Sequence, residues 1–263
     1  MGMKPFSLIQ AKVENNIAYM TLNNPPVNAL NEKMMDEIGQ CMEQLNEDSD
    51  VRAVVLTGTG SFFVAGADIK ELTLLFGREE EAKKAAERGQ ALFTKIEQSQ
   101  KPVIAAINGA CLGGGLELAM SCHMRIAAHE AKLGLPETNL GLIPGYGGTQ
   151  RLTRLTNTAK ALELILTGQF IDGQEAERIG LVNHSVKADQ LLEKAEETAA
   201  LIAQKSRLSV KAAMASVLAG SEKPLGEGLA LEAEQFAELF VSKDVQEGVK
   251  AFIEKRPAAF QDR

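Results

Sequence analysis

Along the first two thirds of the chain, apolar residues alternate between short strand-like runs and helical spacing. FSLIQAKV (6–13) and IAYMTLN (17–23) flank a turn-like ENN and predict a β-hairpin. From Asn31, the apolar positions Met34, Ile38, Cys41, Met42 and Leu45 recur at helical intervals and predict an amphipathic helix ending near Glu47. VRAVVLTG (51–58) and KPVIAAING (101–109) read as buried strands. The Lys- and Glu-rich stretch 79–98 between them predicts a solvated helix with a narrow apolar stripe. This order predicts an α/β architecture with largely parallel strands, and catalytic groups on the loops at strand ends.

After Val186 the pattern becomes all-helical. Segments 187–205, 207–219, 224–240 and 243–254 predict helices, the last with Val245, Val249, Phe252 and Ile253 on one face. The expected organisation is therefore a core with the active site over 1–186 and a helical region over 187–263. Several apolar faces in so short a tail predict packing on the core or on another subunit, hence a homo-oligomer.

Composition narrows the function classes. A chain of 263 residues buries a sizeable core without disulfide or metal staples. With 35 acidic against 28 basic residues, the net charge of −7 disfavours nucleic acid and anionic membranes as partners. The start shows no long apolar core after its lysine and no long apolar run follows, so a cytoplasmic protein is expected. Cys41, Cys111 and Cys122 lack CxxC spacing and predict small buried hydrophobes; His123, His129 and His184 lack metal-ligand spacing, so no metal is expected.

Three glycine-bearing loops remain: VAGADIK (64–70), LGGGLEL (112–118) and LIPGYGGTQR (142–151). Each alone reads as a tight turn. A Walker lysine is missing, GYGGTQ carries Gln150 where GxGxxG needs its last glycine, and no GxSxG elbow occurs. What is left is main chain and carboxylates. If Gly113–Gly115 lead from the strand VIAAI into a helix, the free N–H groups at that helix start form an anion site, which a second N–H from the VAGAD loop completes. Glu117 lies just inside this helix among Leu116, Leu118, Ala119 and Met120, so burial should raise its pKa. The plainer reading of Glu117 is a first-turn acid favoured by the helix dipole. Glu137, after Pro136 in LGLPETNLG, alone reads as a helix-capping acid; two acids at loop ends beside an anion hole form a constellation.

Read together, NPPVNALN, AGADIKEL, AAINGACLGGGLELAMSC, LGLPETNLGLIPGYGGTQRLTRL and EGVKAFIEKRPAAF, in that order over nearly the whole chain, resemble the crotonase superfamily, specifically the enoyl-CoA hydratases. The resemblance implies a spiral core of ββα repeats with a C-terminal helical trimerisation region, as a homotrimer or a hexamer of two trimers. It implies a 2-enoyl-CoA substrate, with CoA part of that substrate and no separate cofactor. Carried over by motif, the amides of Ala67 and Gly114 form the oxyanion hole, and Ala67, Asp68, Ile69 and Lys70 lie along CoA. Glu117 and Glu137 match the two catalytic glutamates, as base and acid by analogy, and are able to share the proton. Gly145 matches a glycine whose N–H helps hold the water, and Phe252 and Lys255 are placed near CoA of a neighbouring subunit. Fatty-acid β-oxidation is the expected setting.

Competing readings keep the same residues. A branched or unsaturated acyl-CoA hydratase or an isomerase uses both acids, whereas a non-catalytic acyl-CoA binder needs neither. A glycosidase also uses two carboxylates, but zero Trp and only Tyr19 and Tyr146 leave few platforms for sugars.

Overall fold

The computed structural model describes residues 5–263. Its chain contacts divide into two compact units, Met1–Ala199 and Ala200–Arg263.

The hairpin pairs β1 (Ile9–Glu14) antiparallel to β2 (Ile17–Leu22), in register from Ile9↔Leu22 to Glu14↔Ile17. Asn15 and Asn16 both take left-handed φ, of 51° and 64°. Asparagine tolerates that region, and two such residues make the tight turn whose twist matches the strands. Helix α1 (Glu32–Glu47) starts where Asn31 accepts a hydrogen bond from Met34 N, and it buries the expected stripe Met34, Ile38, Cys41, Met42 and Leu45.

The chain then winds through β3 (Ala53–Gly58), β4 (Phe62–Val64), α2 (Ile69–Thr73), α3 (Glu79–Glu97), β5 (Val103–Ile107), β6 (Ala110–Leu112) and α4 (Gly114–Ser121). It continues as β7 (Met124–Ala128), β8 (Leu133–Gly134), a 3₁₀ turn (Glu137–Leu140), α5 (Gly148–Leu155), α6 (Thr158–Thr167), α7 (Gly173–Arg178) and β9 (His184–Val186). A six-stranded sheet runs β1-β2-β3-β5-β7-β9 and a three-stranded sheet β4-β6-β8. The strand ladders after the hairpin, β2 with β3 through β7 with β9, are parallel. Successive turns thus place one strand in the large sheet and the next in the small one, the spiral of ββα units that the motifs imply.

One local expectation is corrected. KPVIAAING does not run from a strand straight into a helix; it breaks at Asn108, and the glycines follow β6 in the second sheet. The Asn108 side chain replaces the ladder there, its Oδ1 accepting from Gly58 N and its Nδ2 donating to Gly60 O. The three cysteines are free and buried, as expected. Half-buried His123 accepts a hydrogen bond from Val103 N, a structural use of the ring. Among the described residues, no helix is long and apolar enough to cross a membrane.

The second unit begins within helix α8 (Leu191–Ala203), at Ala200, and holds α9 (Arg207–Ser221), α10 (Leu225–Leu239) and α11 (Lys243–Glu254). Gly220 and Gly228 let α9 and α10 approach closely, a Cβ on Gly228 falling 3.6 Å from Gly220 Cα. Beyond α11 the chain folds back, with Gln261 N and Asp262 N donating to buried Asp244 and Asp262 paired with Arg207. Phe236, Val249, Phe252 and Ile253 remain exposed on this unit.

Candidate active site

The anion hole is built by two loops held in contact. Leu30 bridges Ala67 in parallel fashion: Leu30 N donates to Gly66 O, and Asp68 N donates to Leu30 O. That pattern turns the N–H of Ala67 away from Leu30, and no acceptor for it occurs among the described residues. Gly114 opens α4, so its N–H also lacks an intrahelical acceptor. A Cβ on Gly113 would lie 3.9 Å from Gly66 Cα, and one on Gly114 would lie 3.3 Å from Leu30 Cδ1, so the two donor loops are neighbours.

The three glycines have separate reasons. Gly113 has φ 52° and ψ −126°, a conformation that L side chains rarely adopt. Gly115 sits where a Cβ would fall 2.3 Å from the Val64 carbonyl oxygen, which lets β4 pack directly on the first turn of α4. Gly114 supplies the donor.

Glu117 is 1% exposed, inside a helix whose every residue is buried. Its Oε1 accepts from Tyr146 N at 2.8 Å and Gly148 N at 2.7 Å. Burial pushes its pKa up to about 7, against those two donors and with help from the neighbouring charge of Glu137. A first-turn acid merely serving the helix dipole would stay ionised and face water, so the plain reading of Glu117 does not describe its surroundings.

Glu137 starts the 3₁₀ turn after β8, with Leu142 N closing the turn onto its carbonyl. Its carboxyl reaches back over the glycines: Oε1 lies 2.8 Å from where a Cβ on Gly113 would be. Oε2 is buried without a hydrogen-bond partner. Burial raises the pKa of this group too, against its own main-chain N–H. An unpartnered buried carboxyl oxygen is costly to keep unless its task requires it.

The structure therefore brings together Ala67, Gly114, Glu117 and Glu137. Asp68 caps α2 by accepting from Lys70 N, while Ile69 and Lys70 are exposed on its first turn. Gly145 lies in the same loop as the Glu117 donors, but those donors are its neighbour Tyr146 and Gly148, while its carbonyl accepts from Gln90. Phe252 and Lys255 belong to the second unit, Phe252 exposed and Lys255 in the left-handed cap of α11. Sequence reasoning missed Arg151: it pairs with Glu97 at 2.8 Å and donates to the Tyr146 carbonyl at 3.1 Å, holding the loop whose amides face Glu117. The only sequence signal was its place at the end of LIPGYGGTQR. Among the described residues, no cluster of His, Cys, Asp or Glu is arranged to hold a metal.

A cleft of about 550 Å³ lies between α1, α2 and α3, within the roughly 300–1,000 Å³ typical of small-molecule sites. Leu30, Met35, Leu72, Leu75, Leu92 and Tyr146 supply apolar wall, and Ala67 and Asp68 also line it. Its charged rim includes the pairs Arg88–Glu32 and Lys95–Glu43, which join α3 to α1.

The family model for enoyl-CoA hydratase/isomerase matches residues 12–263. A probable enoyl-CoA hydratase of Bacillus subtilis is 48% identical, over 96% of this chain and 98% of that protein. A crotonyl-CoA hydratase of Syntrophomonas wolfei is 42% identical, over 94% and 95%. The crystal structure of an enoyl-CoA hydratase from Bacillus anthracis superposes with a TM-score of 0.93 at 39% identity, covering 98% of this chain and all of that one.

Proposed function

The chain belongs to the enoyl-CoA hydratase/isomerase family, and from that premise we propose that it adds water reversibly across the 2,3 double bond of 2-enoyl-CoA thioesters to give 3-hydroxyacyl-CoA. The observation that carries this reading is the convergence of two carboxyls whose pKa burial raises, Glu117 and Glu137, on the glycine turn that presents the Gly114 amide.

The Ala67 and Gly114 amides receive the thioester oxygen. As the water oxygen bonds to C3, negative charge moves through C2 onto that oxygen, and each fixed N–H donor is worth about 3–4 kcal/mol there. Hydration also needs a proton taken from water and a proton delivered to C2. Glu117, with Oε1 tethered by two amides, is oriented as the base, and Glu137 over Gly113 as the acid. The pair shares one proton between turnovers, so the proton taken from water replaces the one given to C2. Each transfer contributes roughly 10²–10⁴ in rate. An isomerase would move a proton between C2 and C4 and would need no water.

The same reading places the protein in cytoplasmic fatty-acid β-oxidation, with CoA carried in as part of the substrate and no further cofactor. It also makes the protein a trimer or a pair of trimers, with Phe252 and Lys255 toward the CoA of a neighbouring subunit. Support for the assembly is the large apolar surface of the second unit, including Phe236, Phe252 and Ile253. The test is loss of conjugated-thioester absorbance on crotonyl-CoA with 3-hydroxybutyryl-CoA identified as product. No absorbance loss, or a shifted double bond as the product, overturns the hydratase reading.

A further inference from the structure

Arg151 stands outside the reacting centre yet touches the main chain that holds it. It lies on α5, and its side chain, 12% exposed, turns back onto the loop that precedes the helix. Nη2 donates to Glu97 Oε2 at 2.8 Å and to Thr94 Oγ1 at 3.4 Å, and Nε donates to Glu97 Oε1 at 3.4 Å. Nη1 donates to the Tyr146 carbonyl at 3.1 Å. Gly147 carries φ 109°, and a Cβ there would collide with Nη1, so the guanidinium lies directly against that residue. The Tyr146–Gly147 peptide separates the two amides, Tyr146 N and Gly148 N, that donate to Glu117 Oε1. Its carbonyl is therefore turned to Arg151 while the N–H groups on either side are turned to Glu117. An ion pair that served only to join α3 to α5 would be complete with Glu97. A guanidinium this enclosed is costly to bury unless its remaining donors are used, and here the remaining donor is spent on the loop.

We propose that Arg151 is a positioning residue for the hydration step: through the Tyr146 carbonyl it aims the two amides that tether the Glu117 carboxyl, and Glu97 and Thr94 of α3 fix the guanidinium that does so. This rests on the hydratase reading above. Arginine suits the task because its planar fork holds a carboxylate and a carbonyl at once in a fixed relation, which one ammonium on a flexible stem does not. Its charge acts on Glu117 as well. Burial, and after it the charge of Glu137, raise the proton affinity of Glu117, while the Gly148 and Tyr146 amides and the Arg151 charge lower it. Glu97, behind the guanidinium on α3, partly offsets that charge. The Tyr146 phenol, on the same loop, is pushed up by burial and by Glu117 and so remains neutral. Loss of Arg151 therefore removes one lowering influence on Glu117 and loosens two others.

Three measurements on the wild type, Arg151→Gln and Arg151→Lys test the role: steady-state turnover of crotonyl-CoA, titration with butyryl-CoA, and infrared titration of the Glu117 carboxyl, assigned by its loss in Glu117→Gln. Arg151→Gln should lower kcat by about 10²-fold, the cost of a misplacement of the order of 1 Å. KM and butyryl-CoA affinity should stay near wild type, because the anion-hole amides are untouched. In the same variant the Glu117 carboxyl should hold its proton to higher pH, and the alkaline limb of the kcat/KM profile should move with it. Arg151→Lys keeps the charge but not the fork, so it should show the same split between kcat and KM to a lesser degree, and it reads the role if Arg151→Gln does not fold. Unchanged kcat in the folded variants, a loss carried by KM and affinity, or a Glu117 carboxyl that titrates in Arg151→Gln as in the wild type overturns the proposal. A wild type that hydrates nothing sinks the hydratase reading, whereas the infrared titration still decides whether Arg151 governs the Glu117 carboxyl.

Discussion

Glu137 Oε1 stands 2.8 Å from the point that a Cβ on Gly113 would occupy, and Gly113 itself adopts a left-handed φ of 52°. The seat of one carboxyl and the turn that presents the Gly114 amide are therefore one structural feature. A side chain on Gly113 would disturb both.

Gly113→Ala should accordingly lose both stability and rate. Backbone strain of this kind costs about 1–3 kcal/mol. Displacing Glu137 by the order of 1 Å is expected to lower kcat by about 10²-fold. Denaturation midpoints and turnover of crotonyl-CoA measure the two losses; normal kcat would show that Glu137 needs no open space over Gly113.

Gly114→Pro separates the donor from the bulk. Proline is accepted at the first position of a helix, where its missing N–H has no intrahelical partner. Compared with Gly114→Ala, which keeps the amide, Gly114→Pro should show kcat lower by about 10²–10³-fold with a similar unfolding midpoint. Equal turnover in the two would move the anion hole elsewhere.

Glu117→Gln should trade rate for stability. Burial raises the folded-state pKa of Glu117 from the ordinary 4.5 to about 7, so the folded protein binds the proton more tightly than the unfolded chain. Its burial then costs nothing below the unfolded pKa, and the cost grows as pH rises between the two values and is complete above about 7. Replacing the carboxyl by an amide should therefore stabilise the fold by on the order of 3 kcal/mol at about pH 8, with most of the gain gone near pH 5, while hydration collapses. Denaturant unfolding of both proteins at the two pH values checks it; a gain independent of pH would contradict the cause given.

The rate itself should fall on both sides of neutrality. As pH rises, the coupled pair loses its one shared proton and none is left for delivery to C2. As pH falls, the pair takes up a second proton and no base remains for water. A kcat/KM profile on crotonyl-CoA reads these free-enzyme ionisations, and a flat profile would exclude the pair from the chemistry.

Glu137→Gln should abolish most hydration while keeping acyl-CoA affinity, since the anion-hole amides are untouched. Its carboxyl carries one transfer, so a loss of about 10²–10⁴-fold in kcat is expected. Titration with butyryl-CoA alongside turnover distinguishes this from a binding defect.

How much of this was legible beforehand depended on the range of the interactions. The stripe Met34, Ile38, Cys41, Met42 and Leu45 repeats at helical period within one segment, and it became the buried face of α1. Asn15 and Asn16 carry their own turn preference, and the hairpin followed. The C-terminal helices were equally readable, since α9, α10 and α11 each show a local pattern. The strand β6 was not seen, because ACL is three residues long and is made a strand only by neighbours on β4 and β8.

Local sequence determined the elements, the glycine turn and the presence of Glu117 in an apolar helix, because propensity, periodicity and capping act over a few residues. Tertiary structure alone decided that Glu137 arrives over Gly113, that the Glu117 donors are Tyr146 and Gly148, and that the Tyr146 ring packs between Gly89 of α3 and Gly114. Those relations join residues far apart in the chain, and a carboxyl takes its proton affinity from burial and from the charges around it, which exist only once the loops have converged.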